Sequence, residues 1–466
     1  MTSPPKSESD ARWGGPRTIL GLVLAGAAAL RLVGVEYGLP YGSLLNPDEQ
    51  NIVPRAWSIV HGGGLDPHPF FDYPSLLLYV LAPFQAWEGE PSYLAARLVA
   101  VTIGVAGVAA AWWLGERAYG VAAGGVAAVA VAVATVHVAY SRMAVTDILL
   151  TTLATVVLAL LVTDRIELAG FLAGLAAAAK YPGAALLVPI AVAAWGRWRR
   201  LGFATVLLAA GFALGSPFVF VHPGAWWEDY SRVGDRARAG WLGFEHDHAS
   251  PIAFGDKLWE SLGPLLVVAA AGLGVALARR GRADRVLASW TVFYFVNLLP
   301  IGAHFDRYVL PLIPALAVLA ARFVPLAAVL LLLLVVPLTW TIQQDRDLVK
   351  TDTRVVAARK YFPLRGAGGL ALDPSLPVPE RGLLFELALP APWAEPDPLR
   401  DLNHLRAQGV RIVVLTGAIE DRVLEARDRY PREAAFLADV RRTHLLFRID
   451  PNGKLAGPWV EAYAVG

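Results

Sequence analysis

Long apolar runs separated by short polar connections dominate the first three quarters of the chain, and they set its fold class before any motif is read. A helix needs roughly 20 apolar residues to cross a bilayer, somewhat fewer where the bilayer thins. Runs of that kind occur at Thr18 to Val35, Tyr93 to Gly115, Val121 to Ala139, Asp147 to Thr163, Ile166 to Lys180, Gly183 to Trp195, Phe203 to Val221, Trp259 to Ala278, Val286 to Gly302, Tyr308 to Ala321 and Val324 to Ile342. They predict a polytopic bundle of about eleven helices. The segment Ser75 to Trp87 is apolar but short, with Pro74 and Glu88 at its ends, and fits a helix lying in the interface.

The pattern changes after Ile342. From Gln343 to Gly466 charges are frequent, prolines gather between Pro363 and Pro398, and no run is long enough to span. Arg411 to Leu415 and His444 to Arg448 read as short strands, and Asp397 to Gln408 and Ile419 to Tyr430 as amphipathic helices, giving a small α/β unit. The expected organisation is a tail over residues 1–17, a membrane part over 18–342 with large external loops at 36–92 and 222–257, and a soluble domain over 343–466.

Basic residues orient this arrangement. If the N-terminus is cytoplasmic, the inner connections receive Arg117, Arg165, the group Arg197, Arg199 and Arg200, the group Arg279, Arg280, Arg282 and Arg285, and Arg322. Every strong basic cluster then falls inside, as the positive-inside rule requires. Reading Ile166 to Trp195 as one kinked span would invert everything after it and break the rule at its best-populated loops. Two short helices divided near Tyr181-Pro182 are therefore expected. The first span, flanked by Arg12 and Arg17, reads as an uncleaved helix followed by many others. The soluble domain is expected outside a cell (inner) membrane.

Composition agrees. Of 466 residues, 56% are hydrophobic and 17% charged, and the mean hydropathy is +0.48, more apolar than a soluble domain tolerates. A net charge of +2 gives no sign of a nucleic-acid partner. The absence of cysteine excludes disulfides, thiolate metal sites and cysteine nucleophiles. There is no Walker loop and no Rossmann glycine pattern after a strand, so nucleotide hydrolysis and a nucleotide-sugar fold lack support.

Candidate chemistry gathers on the external side. Asn46-Pro47-Asp48-Glu49-Gln50 follows the first span, and Phe71-Asp72-Tyr73-Pro74 precedes the interfacial stretch. Asp48 and Glu49 alone would pass for solvated loop acids. Asp147, however, stands at the outer end of a span, where a carboxylate is costly without a purpose. Capping the helix that follows is an equal alternative for it. Lys180 and Arg307 are external cations. Snorkelling competes with function for Lys180 more than for Arg307 in Phe305-Asp306-Arg307-Tyr308. Glu245-His246-Asp247-His248 carries groups able to hold a divalent metal, but its spacing fits no standard site, and an acceptor-binding edge or a solvated turn fits better. His222 and His304 are lone histidines with a structural reading.

Taken in order, the helix ending at Arg31-Leu32, Pro47-Asp48-Glu49, Phe71-Asp72-Tyr73-Pro74, Ser141-Arg142-Met143-Ala144-Val145-Thr146-Asp147, Gly170 to Leu175 before Lys180-Tyr181, Arg307-Tyr308-Val309-Leu310-Pro311 and the closing Gly457-Pro458-Trp459-Val460-Glu461-Ala462-Tyr463 resemble the membrane glycosyltransferases of the C-type fold. Among these they are similar to family 39, the dolichyl-phosphate-mannose protein mannosyltransferases and bacterial aminoarabinose transferases. The resemblance implies inverting transfer of a sugar from a polyprenyl-phosphate donor to a protein, lipid or glycan acceptor on the outer face. It assigns Asp48 as general base, with Glu49 orienting it or binding acceptor, and Asp147 in the catalytic group. Arg307, Lys180 and Tyr308 fall to donor phosphate binding, with Asp72 and Tyr73. Tyr73 departs from the aminoarabinose transferases, which carry lysine there, so the resemblance does not imply the same donor recognition. His246 and His248 are assigned to acceptor. A divalent metal is left open, and so are sugar, acceptor, oligomeric state and the role of the soluble domain. A lipid-linked glycan ligase or polymerase and a transporter or flippase are the alternatives. The acids cluster at one face and no repeated halves are visible, which disfavours a transporter.

Overall fold

In a computed structural model, residues 15–379 and 383–466 are described. Most of the tail expected at residues 1–17 therefore lies outside the described residues. The chain is mainly helical up to Leu348, and a mixed sheet with covering helices occupies the remainder. The first helix, Pro16–Leu32, has proline in its first turn, where a missing N–H costs nothing, and Arg31 in its last.

Several expected spans form as two pieces. Val121–Val133 and Thr135–Tyr140 are divided by an extended Ala134. Ile166–Ala179 ends at Lys180, whose backbone is extended (φ −155°, ψ 133°), and the chain resumes as Tyr181–Leu186 and Leu187–Ala193. That break is the one the basic pattern requires. The span expected at Trp259 to Ala278 is instead two helices, Ser250–Leu262 and Leu265–Arg279, bent by 114°. Gly263-Pro264 at the bend supplies a positive φ and then a residue without an amide hydrogen. Among the described residues, two helices, Tyr93–Tyr119 and Val324–Leu348, are each long and apolar enough to cross, or three if the bent pair is one span.

Close helix packing follows from small residues. Along Ile166–Ala179, a Cβ placed on Gly170 would stand 2.3 Å from the Ala204 carbonyl oxygen, and one on Gly174 would stand 2.0 Å from that of Leu208. Glycines at these positions let the backbone of Trp198–Gly215 lie against this helix. The outward faces carry exposed Phe203, Val206, Leu214, Val267, Leu277 and Leu332, an apolar surface suited to lipid.

Thr146–Val162 separates two charged ends. Beyond its C-terminus, Asp164 pairs with Arg197 (2.7 Å), Arg200 (2.9 Å) and Arg282 (2.5 Å). In its first turn lies Asp147. Its 17 residues place these ends about 25 Å apart.

The C-terminal part is built on a five-stranded sheet. Leu384–Glu386, Gly369–Leu372 and Val410–Thr416 run parallel, and Val460–Ala464 and His444–Ile449 continue the sheet antiparallel. Both strands expected here form, each with a slightly longer extent. The expected helices are shorter, Leu402–Ala407 and Gly417–Glu425. Helices Thr353–Tyr361 and Pro431–Arg441 and five strands were not anticipated. Parallel strands buried on both faces, such as Gly369–Leu372, lack the alternation that marks a half-exposed strand.

Candidate active site

Asn46-Pro47-Asp48 forms a side-chain turn, the Asn46 Oδ1 accepting from the Asp48 amide at 2.9 Å. Helix Glu49–Ser58 starts at once, and Asp48 occupies its N-cap without using its carboxylate as a cap. That carboxylate is free for another partner, and the partner is Arg307, which donates through Nη1. Burial alone would raise the Asp48 pKa. The charge of Arg307, hydrogen bonds from Arg307 and Tyr73, and the charge of Lys180 outweigh it and hold the group below the ordinary aspartate value.

Arg307 is held by the turn Asp306–Leu312. The Asp306 Oδ1 accepts from the Arg307 amide (2.8 Å) and from the Tyr140 hydroxyl (2.6 Å), fixing the turn to the end of Thr135–Tyr140. The guanidinium sits 4.8 Å from the ring centre of Phe305 and 5.9 Å from that of Tyr308. Its Nε is buried and finds no protein partner among the described residues. Burial opposes the Arg307 charge, but the Asp48 carboxylate beside it raises the pKa well above the ordinary value.

The second cation completes the centre. The Lys180 Nζ donates to the Asp147 Oδ1 at 2.5 Å and lies 5.3 Å from the ring centre of Tyr308. The extended backbone at Lys180 turns this residue out of the helical run. Asp147 does not cap its helix, where Val145 is the N-cap and no side chain caps. Two carboxylates and two cations thus neutralise one another, with Tyr73 and Tyr308 among them.

Not every residue expected in the site joins it. Glu49 is fully buried and turned to Arg97, which donates to it at 2.6, 3.0 and 3.1 Å. It also accepts from the Ala144 amide at 2.8 Å. Arg97 further holds the carbonyls of Val35 (2.9 Å) and Tyr37 (2.8 Å). Glu49 thereby ties the start of helix Glu49–Ser58 to helix Tyr93–Tyr119 and to the Ala144 backbone, and its carboxylate is taken by Arg97, which corrects its expected place in the catalytic group. Asp72 points away from Arg307 and pairs with Arg232 of helix Pro223–Ala239 at 2.6 Å. Its neighbour Tyr73 does face Asp48.

The Glu245-His246-Asp247-His248 segment diverges. Glu245 accepts from the Tyr430 hydroxyl (2.6 Å), His246 reaches Asp428 (3.5 Å), and Asp247 pairs with His304 (2.9 Å). His246 and His248, both expected toward acceptor, face different surroundings. His248 lines a cavity and His246 faces the C-terminal part. Among the described residues no group of three or more His, Asp or Glu is placed to hold a metal ion, so these side chains do not fit one and no step is derived through it. His304 is bonded on both nitrogens, to Asp247 and to Ser250 (3.1 Å), and His222 reaches Asp66 (2.7 Å).

The sequence reading missed Arg97, Tyr140, Asp306 and Arg232. Arg97 had a signal, an arginine inside an apolar span, which is rare without a buried partner. For the others the pairing that matters lies far away in sequence, Tyr140 with Asp306 and Arg232 with Asp72.

Residues 70–301 match the model of Glycosyltransferase family 87. ArnT from Cupriavidus metallidurans in the apo state is 15% identical, with 96% of this chain and 98% of that chain covered, at a TM-score of 0.59. The same protein bound to undecaprenyl phosphate gives 15% identity, the same coverages and a TM-score of 0.58. The oligosaccharyltransferase AglB from Archaeoglobus fulgidus, in complex with an inhibitory peptide and a dolichol-phosphate, is 11% identical over 99% of this chain and 75% of that chain, at a TM-score of 0.59. Comparison with curated protein sequences gives no match. The matched model is family 87, and family 39 is not singled out.

Proposed function

Starting from a membrane glycosyltransferase of the C-type fold, we propose that this protein moves a sugar from a polyprenyl-phosphate carrier to an acceptor hydroxyl or other nucleophile on the external face, with inversion. The observation carrying this reading is the neutral cluster of Asp48, Arg307, Asp147 and Lys180. Structures similar in fold contain undecaprenyl phosphate and dolichol-phosphate, and a lipid phosphate is the ligand two largely buried cations suit. A family 39-like donor habit and an N-terminus in the cytoplasm belong to the same proposal. The soluble domain shares the external compartment.

Chemistry follows from charge balance. Without donor, each cation is taken by a carboxylate. An arriving phosphate diester competes for Arg307 and Lys180, and arginine offers it two parallel hydrogen bonds while lysine offers a point charge. Asp48 loses its cation and becomes a stronger base. The acceptor oxygen then attacks the anomeric carbon as the bond from that carbon to the phosphate oxygen breaks. Its proton passes to Asp48, and the electron pair leaves on the lipid phosphate, held by Arg307 and Lys180. Tyr73 and Tyr308 border the same space. Glu49 acts through Arg97 and the loop rather than on substrate.

The test uses purified protein in nanodiscs with synthetic polyprenyl-phosphate hexoses carrying a labelled sugar. Release of free lipid phosphate with label on acceptor or water supports the proposal. A full set of hexose and pentose donors left intact overturns it. A ligase or polymerase is distinguished by turnover of diphosphate-linked glycans alone.

A further inference from the structure

The segment that carries Tyr73 has no hydrogen-bond ladder of its own. Among the described residues, Phe71, Asp72 and Tyr73 make no backbone–backbone hydrogen bond, and the next helix begins only at Leu76. Side chains from distant parts of the chain hold it instead. Phe71 is fully buried. Its amide donates to the Asp229 Oδ2 at 2.7 Å, and its carbonyl accepts from the Tyr181 hydroxyl at 2.8 Å. Asp229 lies on helix Pro223–Ala239, and Tyr181 directly follows Lys180. Both polar groups of one buried residue are thus clasped, from opposite directions in the sequence.

One helix organises both contacts. Asp229 and Arg232 are three residues apart and share a face of Pro223–Ala239. The Arg232 Nη2 lies 2.6 Å from the Asp229 Oδ1 and 2.6 Å from the Asp72 Oδ1, so both oxygens of the largely buried Asp229 are engaged. On the same helix the Tyr230 ring meets Tyr181 edge-on at 5.1 Å and is backed by Trp226 at 5.8 Å. Pro74 restricts Tyr73 to extended backbone. Between the clasped Phe71 and this proline, Tyr73 enters the protein against the apolar cluster that includes Leu77, Ala144 and Leu149, with its hydroxyl bonded to Asp48.

We propose that Asp229 and Tyr181 are positioning residues for the base: by clasping Phe71 from two sides they keep the Tyr73 hydroxyl on Asp48. The inference rests on the transfer reading for the role of Asp48 and adds two residues, outside the charged cluster, through which that carboxylate is controlled. Asp72 acquires a purpose here, since through Arg232 it helps to hold Asp229. The charged and titratable groups facing Asp48 are Arg307, Tyr73 and Lys180, with Glu49 adjacent, and the Tyr73 contact is the one that the clasp governs. A hydroxyl donating to a carboxylate favours its ionised form. Opening the clasp should therefore let Asp48 take up a proton at higher pH.

The experiment is carbodiimide labelling of Asp48 in the full chain in nanodiscs without donor, quantified by peptide mass spectrometry. Dicyclohexylcarbodiimide modifies a carboxyl group in its protonated form, so above the pKa the labelling rate follows the protonated fraction. Tyr73→Phe should speed labelling of Asp48 by about tenfold, the equivalent of losing one hydrogen bond to a charged group. Asp229→Ala and Tyr181→Phe should each speed it in the same direction, whereas Asp229→Asn, which keeps an oxygen for the Phe71 amide, should stay near wild type. In the Tyr73→Phe background neither Asp229→Ala nor Tyr181→Phe should add to the rate, which separates action through Tyr73 from a general opening around Asp48. Labelling unmoved by Tyr73→Phe, by Tyr181→Phe or by a folded Asp229→Ala overturns the inference. So does an equal acceleration in the Tyr73→Phe background, or Asp229→Asn labelled as fast as Asp229→Ala. Tyr181→Phe, which removes a single oxygen, decides the matter if Asp229→Ala does not fold. Because no donor is present, these outcomes are separate from donor turnover by the wild type, which alone decides the transfer reading.

Discussion

Replacing Glu49 by methionine distinguishes scaffold from chemistry at the residue next to the proposed base. The Arg97–Glu49 pair is wholly inaccessible to solvent. Removing the carboxylate deletes three contacts with Arg97 and the acceptor for the Ala144 amide. Arg97 keeps the carbonyls of Val35, Tyr37 and Gly42, but its charge is no longer compensated. Breaking one side of a buried pair costs about 3–5 kcal/mol, whereas replacing both partners with apolar groups is often nearly neutral. Glu49→Met should therefore lower thermal stability sharply, and Glu49→Met with Arg97→Met should recover most of it. The assay is thermal unfolding in nanodiscs, with donor turnover measured per folded molecule. A single variant as stable as wild type but inactive would refute the scaffold role and return Glu49 to the chemistry.

Three further outcomes follow from the same geometry. Arg307→Lys keeps the charge but loses the fork, so donor turnover should fall by about 10- to 100-fold, the equivalent of a charged hydrogen bond worth ~1.5–3 kcal/mol; unchanged turnover would remove Arg307 from the phosphate. The depressed Asp48 pKa means that this carboxylate stays ionised, and its pairing contributes stability, above the ordinary aspartate value; that contribution is lost as pH falls through the folded value. If donor draws Arg307 away, the acid limb of kcat, which reports the complex, should lie at higher pH than that of kcat/KM, and coincident limbs would contradict the exchange of partners. Gly174→Ala puts a methyl 2.0 Å from the Leu208 carbonyl oxygen and should cost about 1–3 kcal/mol in unfolding measurements, with no loss indicating that the helices are not in contact there.

Much of this was legible in the sequence because hydropathy and charge are local signals. The break at Lys180, for example, followed from counting which loops carry arginine. The cluster was legible only through ordered motifs. Asp48 and Arg307 are 259 positions apart and nothing local pairs them. Glu49 shows the limit. Adjacent acids look alike in sequence, yet the start of helix Glu49–Ser58 sends one carboxylate to Arg307 and the other into the protein against Arg97. Asp72 fails for a similar reason, since Arg232 lies on a helix in a different loop. The 114° bend escaped because an apolar run reads as continuous across Gly263-Pro264. The parallel strands escaped because burial on both faces erases their alternation.

Asp48→Asn tests the centre most directly, because the amide keeps the size of the side chain and removes its charge and basicity. Turnover of a synthetic polyprenyl-phosphate sugar by the folded variant should fall ~100-fold or more, the usual cost of losing a general base, while donor binding persists. Full turnover by Asp48→Asn would contradict the assignment, whatever the protein's fold.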